Sequence, residues 1–203
     1  MSSRQDVARE AARVLYNRNV KEYKDAKEIA AASLGSRALP SNYEVAVELD
    51  RLTEEIEGSD RQTRLINMRK IAVRVMRDLV EFDPVLIGSV WRGTVRIGSD
   101  IDIIIYCKDW RDAEKKLKEY ILVKAEPAEF IENGIPLKSV HIGLYIDDHP
   151  VEVVVRPPED RETYRDEKCD TYGDIKRGIK LKELEKLMSA DPLRRFIPKR
   201  RNR

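Results

Sequence analysis

The segment IDIIIY, residues 101–106, is the feature that most limits how this chain can fold. Its β-branched and aromatic residues favour a strand, and isoleucines at this density favour a buried one. Asp100 and Asp102 nevertheless stand at its start. Because side chains alternate across a strand, both aspartates project from one face while Ile101 and Ile103 project from the other. Two carboxylates held this close at the end of a buried strand require a compensating partner.

A divalent cation is the partner that these carboxylates predict. Mg²⁺ prefers hard oxygen ligands and commonly joins one or two protein carboxylates to substrate phosphates. Glu152, in the similarly apolar segment VEVVVRP, would add a third carboxylate if its strand lies beside IDIIIY. Three acids could hold two metal ions, which together can activate a hydroxyl and stabilise a leaving phosphate. We expect Mg²⁺, with Mn²⁺ as the alternative. Asp147 and Asp148 compete with Glu152 for the third position, but IDDHP is typical of a hairpin turn.

The residues before the strand form a candidate anion site. Gly88 and Ser89 end the short apolar segment PVLIGS, where backbone N–H groups and a small hydroxyl would meet an anion without steric hindrance. Arg92 would add a charge-assisted contact. Gly93 and Gly98 would let the chain turn back toward the aspartates. A nucleoside triphosphate is the expected anion.

The stretch GSVWRGTVRIGSDIDI resembles the signature of nucleotidyltransferases of the DNA polymerase beta-like superfamily, in which a Gly-Ser pair precedes an Asp-x-Asp and a later acid follows on a neighbouring strand. Its form is most similar to archaeal-type CCA-adding and oligoadenylate-synthetase-like enzymes, and VEVVVRP is similar to the stretch that carries the third acid of the CCA-adding group. The resemblance covers residues 84–157. It implies two sets of site residues: Asp100, Asp102 and Glu152 as metal ligands, and Gly88 with Ser89 as phosphate ligands.

The sequence departs from that family pattern in two ways. The third acid is Glu152, where aspartate is commoner, and the extra methylene moves the carboxylate. The chain of 203 residues is also short for the additional domains with which CCA-adding enzymes measure tRNA. We therefore expect a stand-alone nucleotidyltransferase with its own helical N-terminal region.

Periodicity divides the chain into a helical and a mixed part. Apolar residues recur at three- and four-residue intervals through residues 1–83, where Ser41 and Glu44 have the spacing of a capping box and Gly58 ends a helix. The helix that follows presents one apolar face, formed by Leu65, Met68, Ala72, Val75, Leu79 and Phe82.

From Pro84 onward the pattern changes to short strands, with a helix after IDIIIY and a hairpin signal at Asn133 and Gly134. We predict an α+β fold in which a mixed β-sheet nucleotidyltransferase core is flanked by helices. The predicted parts are a helical N-terminal region (1–83), the catalytic core (84–157), and a C-terminal loop, helix and basic tail (158–203). His141 and His149 lack partners at metal-binding spacing and are interpreted as structural or surface histidines, and Trp91 as a core residue.

Composition excludes several classes of protein. With 41% hydrophobic and 37% charged residues, the chain can bury one good core. No apolar run approaches the roughly 18 residues that span a membrane, and no secretory signal is evident, so we expect a cytoplasmic protein. Two cysteines form neither a disulfide framework nor a metal cluster.

Together these features predict a metal-dependent nucleotidyltransferase that moves a nucleoside monophosphate from a nucleoside triphosphate to an acceptor hydroxyl and releases pyrophosphate. The acceptor is not encoded in the motif. RNA is one candidate, because basic residues without any acid follow Pro192: Arg194, Arg195, Lys199, Arg200, Arg201 and Arg203. The alternative from another class is a nucleotide-binding, antitoxin-like module that pairs with a helical partner protein.

Overall fold

The computed structural model describes residues 3–132, 135–163 and 168–198 of the chain. They form two compact units. The first contains the described residues of Met1–Arg61, Lys168–Asp174 and Pro198–Arg203, and the second those of Gln62–Glu167 and Ile175–Ile197. The domain division at residues 83 and 84 stays a prediction. Among the described residues, no helix is both long enough and apolar enough to cross a membrane.

Small side chains build the core of the first unit. Helices α1 (Arg4–Tyr16) and α2 (Tyr23–Ser33) pack through a cluster rich in alanine, which lets helices approach closely: Val7, Ala8, Ala11, Leu15, Ala26, Ala30 and Val45. Helix α3 (Asn42–Asp78) begins at the predicted capping box. There the Ser41 N–H donates to Glu44 Oε2 at 2.7 Å, and the Glu44 N–H donates to Ser41 Oγ at 3.3 Å.

Helix α3 is interrupted where the sequence predicts a helix end. Gly58 has φ 47° and ψ −126°, which is not helical backbone. Glycine occupies such a conformation without steric cost, whereas other residues do not. Beyond the kink, the predicted apolar face is buried, with Met68, Ala72 and Val75 fully inaccessible. Phe82 lies in the short 3₁₀ helix Val80–Phe82 and is partly buried against the same core.

The second unit is built around a six-stranded sheet of order β3-β4-β5-β2-β1-β6. Strands β2 and β5 are parallel and the other neighbours are antiparallel, so the sheet is mixed. The strands are β1 (Val85–Ile87), β2 (Ile101–Tyr106), β3 (Ile121–Glu132), β4 (Ile135–Ile146), β5 (His149–Arg156) and β6 (Ile179–Lys180). The further helices are α4 (Gly88–Arg92), α5 (Trp110–Lys116), α6 (Asp160–Thr163) and α7 (Leu181–Ala190). The predicted α+β class is confirmed; Asn133 and Gly134 lie outside the described residues.

The central strands are buried because their side chains are mostly isoleucine and valine. Ile101, Ile103 and Ile105 of β2 are inaccessible to solvent and belong to one hydrophobic cluster with the buried face of α3 and with α7. Burying each such side chain stabilises the fold by roughly 1.5–3 kcal/mol. The intervening position of β2, Asp102, is left for the opposite face, where the candidate site lies.

Candidate active site

Strand register places two of the predicted acids side by side. In the parallel pair of β2 and β5, Asp102 is the partner of Glu152. Residues paired across neighbouring strands lie about 5 Å apart and share a face of the sheet. The sequence predicts the third acid on the condition that the strand of Glu152 lies beside IDIIIY, and the fold meets this condition. The buried residues on either side of each acid fix the pairing.

The three predicted metal ligands interact electrostatically. Burial, together with the negative charges of Asp100 and Glu152, raises the pKa of Asp102 to about 8. Asp100 is exposed at the mouth of β2, whereas Asp102 and Glu152 are half-buried. A cation bound among these carboxylates would remove the repulsion that disfavours the ionised form of Asp102.

Gly88 brings the candidate phosphate loop against the carboxylates. Ile87, the last residue of β1, pairs with Asp102, and the chain then turns into α4. Gly88 has φ +70°, and a Cβ built on it would overlap Oδ2 of Asp102. Both the backbone conformation and the close approach require glycine here. Ser89 follows in the first turn of α4 and is half-buried.

A buried arginine holds α4 in place. Arg69, on α3, is fully inaccessible, and its guanidinium donates to the carbonyls of Val90 (3.1 Å) and Trp91 (2.9 Å). It also donates to the carbonyls of Pro192 (2.6 Å) and Arg194 (2.9 Å). Burial lowers the pKa of Arg69 to about 10, a value at which the side chain remains charged at neutral pH.

Sequence analysis missed Arg69, although one signal was available. The residue stands four positions after Leu65 and three before Ala72, on the apolar face of α3. An arginine at such a periodic core position must find several acceptors.

Arg92 lies in a buried pocket formed with the C-terminal segment. Only 5% of Arg92 is exposed; its Nη1 donates to the Phe196 carbonyl at 3.0 Å, and the Phe196 N–H donates to the Arg92 carbonyl at 2.9 Å. The guanidinium also stacks over the Trp91 ring at 4.5 Å, and Trp91 stacks on Phe196. Trp91 is 8% exposed and lies in the core cluster, as predicted. The phosphate contact predicted for Arg92 stays a prediction.

His141 contacts the candidate site through Glu152. Its Nδ1 lies 3.0 Å from Glu152 Oε1, and its Nε2 lies 3.0 Å from the hydroxyl of Ser139, which is 4% exposed. The interpretation of His141 as a structural or surface histidine did not include its contact with Glu152, which depends on the pairing of β4 with β5. His149, by contrast, lines a groove of about 410 Å³ with Asn67, Lys70, Ile71, Arg74 and Asp147.

The competing acids belong to the hairpin turn, as predicted. Asp147 and Asp148 both have positive φ, 47° and 63°, in the connection between β4 and β5. Asp147 forms an ion pair with Arg74 at 2.8 Å. Asp147, in the turn, is therefore paired with an arginine. Glu152, and not Asp147, lies beside Asp102 on the same face of the sheet.

The carboxylates fit a hard divalent cation by their chemistry, although their side chains are not assembled around one. Within the described part of the chain, no three His, Cys, Asp or Glu side chains are arranged so that they could hold a metal ion. The carboxylates of Asp100, Asp102 and Glu152 nevertheless supply the oxygen donors that Mg²⁺ and Mn²⁺ prefer. Completing a three-ligand site requires reorientation of the carboxylate side chains around the cation.

Comparison with known proteins identifies a family and includes a distant similarity to a solved structure. Residues 68–187, more than half of the chain, match the family model described as "Nucleotidyltransferase domain". No curated protein matches the chain significantly. A solved structure titled "Structure of the non canonical Poly(A) polymerase complex GLD-2 - GLD-3" is 14% identical, with a TM-score of 0.35. The aligned region covers 63% of this chain and 43% of that chain, so this chain spans less than half of its length.

Proposed function

Since the chain belongs to the nucleotidyltransferase domain family, we propose that it transfers a nucleoside monophosphate from a nucleoside triphosphate to an acceptor hydroxyl. The observation that carries this proposal is the contact between Gly88 and Asp102, within the register that pairs Asp102 with Glu152. A phosphate-binding turn and a set of acids are thereby joined at one end of the sheet. That combination serves phosphoryl transfer, in which catalysis is largely positioning and charge neutralisation.

In the proposed reaction the acceptor oxygen forms a bond to the α-phosphorus, the bond from that phosphorus to the β-phosphate oxygen breaks, and pyrophosphate leaves. The acceptor hydroxyl gives up its proton to water, and the electron pair of the broken bond leaves with the pyrophosphate. The backbone of Gly88 and the hydroxyl of Ser89 bind the phosphates, which approach closely because Gly88 has no side chain. The repeated hydrogen bonds from Arg69 to α4 keep this turn in one position relative to the carboxylates.

Asp100, Asp102 and Glu152 would hold the divalent cation, Mg²⁺ or Mn²⁺. When bound, that cation supplies charge neutralisation on the phosphates and lowers the pKa of the attacking hydroxyl. Asp102 is central among the three, because the register pairs it with Glu152 and the charges of both Asp100 and Glu152 act on it. Arg92 supports the site indirectly, because its buried contacts with Phe196 and Trp91 hold the C-terminal end of α4 in place.

RNA is our proposed acceptor class, supported by the run of basic residues after Pro192. Each phosphate that such residues neutralise releases counterions, so binding should weaken steeply with salt. The matched pair of proteins is the full chain and a chain lacking residues 199–203, which removes four of the basic residues and leaves Pro192 to Pro198 in place. Loss of salt-dependent RNA binding in the shorter chain supports RNA as acceptor.

The experiment that tests the proposed function follows label from an α-³²P nucleoside triphosphate into an acceptor. Each of the four triphosphates is incubated with Mg²⁺ or Mn²⁺, with and without bulk tRNA, and pyrophosphate release is measured in parallel. Label in RNA with equimolar pyrophosphate supports the proposal. Binding of the triphosphates without pyrophosphate release under every condition contradicts it and favours the nucleotide-binding, antitoxin-like module, for which co-purification of a helical partner is the next observation to seek.

A further inference from the structure

The carboxylate of Glu152 is harder to hold in one orientation than the carboxylate of an aspartate at the same position would be. Its side chain has one more rotatable bond, so more conformational freedom must be lost when the carboxylate is held in one orientation. At 34% side-chain exposure, Glu152 is not fixed by burial alone. A defined position for its carboxylate therefore needs a specific contact.

The strand pairing places His141 where it can provide that contact. Across β4 and β5 the residue directly opposite Glu152 is Gly143, which has no side chain. The diagonal neighbour on the same face, two residues away along β4, is His141, and diagonal neighbours are within reach of long side chains. Its Nδ1 lies 3.0 Å from Glu152 Oε1.

Ser139 fixes the orientation of the imidazole. Its hydroxyl, buried to 4% exposure, lies 3.0 Å from Nε2 of His141. When Nδ1 carries the ring proton and donates to Glu152, Nε2 is an acceptor, and the Ser139 hydroxyl can donate to it. Both ring nitrogens are then used, and the ring cannot rotate without breaking two hydrogen bonds.

We infer that His141 is a positioning residue that holds the Glu152 carboxylate through Nδ1, with Ser139 holding His141 in turn. This inference rests on the proposed function, in which Glu152 is a ligand of the divalent cation. The longer acid is thereby given a fixed carboxylate, and the contact through Oε1 leaves Oε2 available. Groups that orient metal ligands in this way typically change metal affinity or activity by about 10–100-fold when they are removed.

The test compares three substitutions of the two histidines. His141→Ala removes the donor, whereas His141→Asn keeps a side-chain N–H near the position of Nδ1. His149→Ala is the matched control, because His149 is the other histidine of the chain and lines a separate groove. Mn²⁺ affinity is measured by calorimetry without nucleotide, and kcat and KM are measured in parallel.

We expect His141→Ala to weaken Mn²⁺ binding and lower kcat by about 10-fold or more, with little change in KM for the triphosphate. His141→Asn should recover most of both losses, and His149→Ala should equal the wild type. A merely structural histidine would not give recovery by asparagine together with a selective change in metal affinity.

A double-mutant cycle tests the partner directly. Aspartate at position 152 is too short to meet His141 in the same way, so His141→Ala should have little further effect on Mn²⁺ affinity in the Glu152→Asp background. Equal effects in both backgrounds, or no Mn²⁺ binding by the wild type, would overturn the inference. Absence of pyrophosphate release with an intact Mn²⁺ cycle would instead contradict the proposed function and leave the role of His141 standing.

Discussion

Gly88, the residue after strand β1, lies so close to Asp102 of β2 that a methyl group on Gly88 would overlap the Asp102 carboxylate. One local structure therefore serves two purposes, because the turn that would receive the phosphates also forms one side of the carboxylate cluster. A change at Gly88 displaces both.

Gly88→Ala should lower kcat/KM by about 100-fold or more, since misplacement of reacting groups by 1 Å can cost that much. The substitution adds strain at φ +70° and pushes Asp102 out of place. Steady-state kinetics with the preferred triphosphate measure the effect. Gly173→Ala is the matched control, because Gly173 has φ +72° and nothing lies within 4 Å of an added Cβ. If both variants lose activity equally, backbone strain and not the contact with Asp102 explains the loss.

Arg69→Met should destabilise the fold and raise KM for the triphosphate. The substitution leaves four backbone carbonyls without their donor, at a cost of about 1–3 kcal/mol for each that stays unsatisfied. Urea denaturation measures the stability change, and nucleotide affinity reports the position of α4.

Arg61→Met provides the control for this prediction. Arg61 is also buried, at 3% exposure, but it bonds to Asp50 and Glu54 in the first unit. The Arg61→Met substitution should reduce the free energy of unfolding. It should not change triphosphate affinity at a temperature where the protein is folded. Equal changes in affinity for the two arginine variants would contradict a specific role of Arg69 in holding α4.

Deleting residues 192–203 should have a different effect from deleting residues 199–203. The longer deletion removes two of the acceptors of Arg69 and the partner of Arg92, so both stability and activity should fall. The shorter deletion leaves these contacts intact, and we expect it to change only RNA binding. Thermal denaturation of both truncated chains measures this; a longer deletion that melts at the wild-type temperature contradicts the anchoring role of the segment.

Glu44 should support acid stability of the first unit. Burial by itself would raise its pKa, but hydrogen bonds from the Ser41 N–H and hydroxyl and from Arg4 outweigh burial and lower the pKa to about 2. Because the folded pKa is below the ordinary value of 4.5, the stabilisation is present above about pH 4.5 and is lost as the pH falls toward 2.

Glu44→Gln should therefore lower stability at pH 7 by about 1 kcal/mol, as loss of a helix cap does, and the difference from wild type should shrink below pH 4. Denaturation between pH 2 and pH 7 measures it. Glu55→Gln, an exposed position on the same helix, should show no such convergence. A difference for Glu44→Gln that does not vary with pH contradicts the assigned hydrogen bonds.

Local patterns predicted the parts of the site that depend on neighbours in sequence. Alternation in IDIIIY placed Asp102 opposite the buried isoleucines, and the capping box at Ser41 and the break at Gly58 followed from residue types alone. These features depend on backbone geometry over a few residues, where hydrophobic periodicity and steric limits are decisive.

Contacts between distant segments could not be predicted in the same way. Arg69 and Pro192 are 123 positions apart, and Arg92 and Phe196 are 104 apart. The partner of His141 depends on the register of β4 against β5, in which the residue opposite Glu152 is a glycine. No local pattern specifies such pairings, because they are set by how complete elements pack.

Pyrophosphate release by Asp102→Asn, compared with wild type and with Asp148→Asn, tests the central claim most directly. Asparagine has nearly the size of aspartate but carries no charge, and Asp148 lies in the β4–β5 turn, where its positive φ is one that asparagine tolerates. We predict that Asp102→Asn loses activity by at least about 100-fold while melting no lower than wild type, because burial and the neighbouring charges disfavour the ionised carboxylate that asparagine replaces, and that Asp148→Asn stays active. Pyrophosphate release by Asp102→Asn at the wild-type rate would contradict the account.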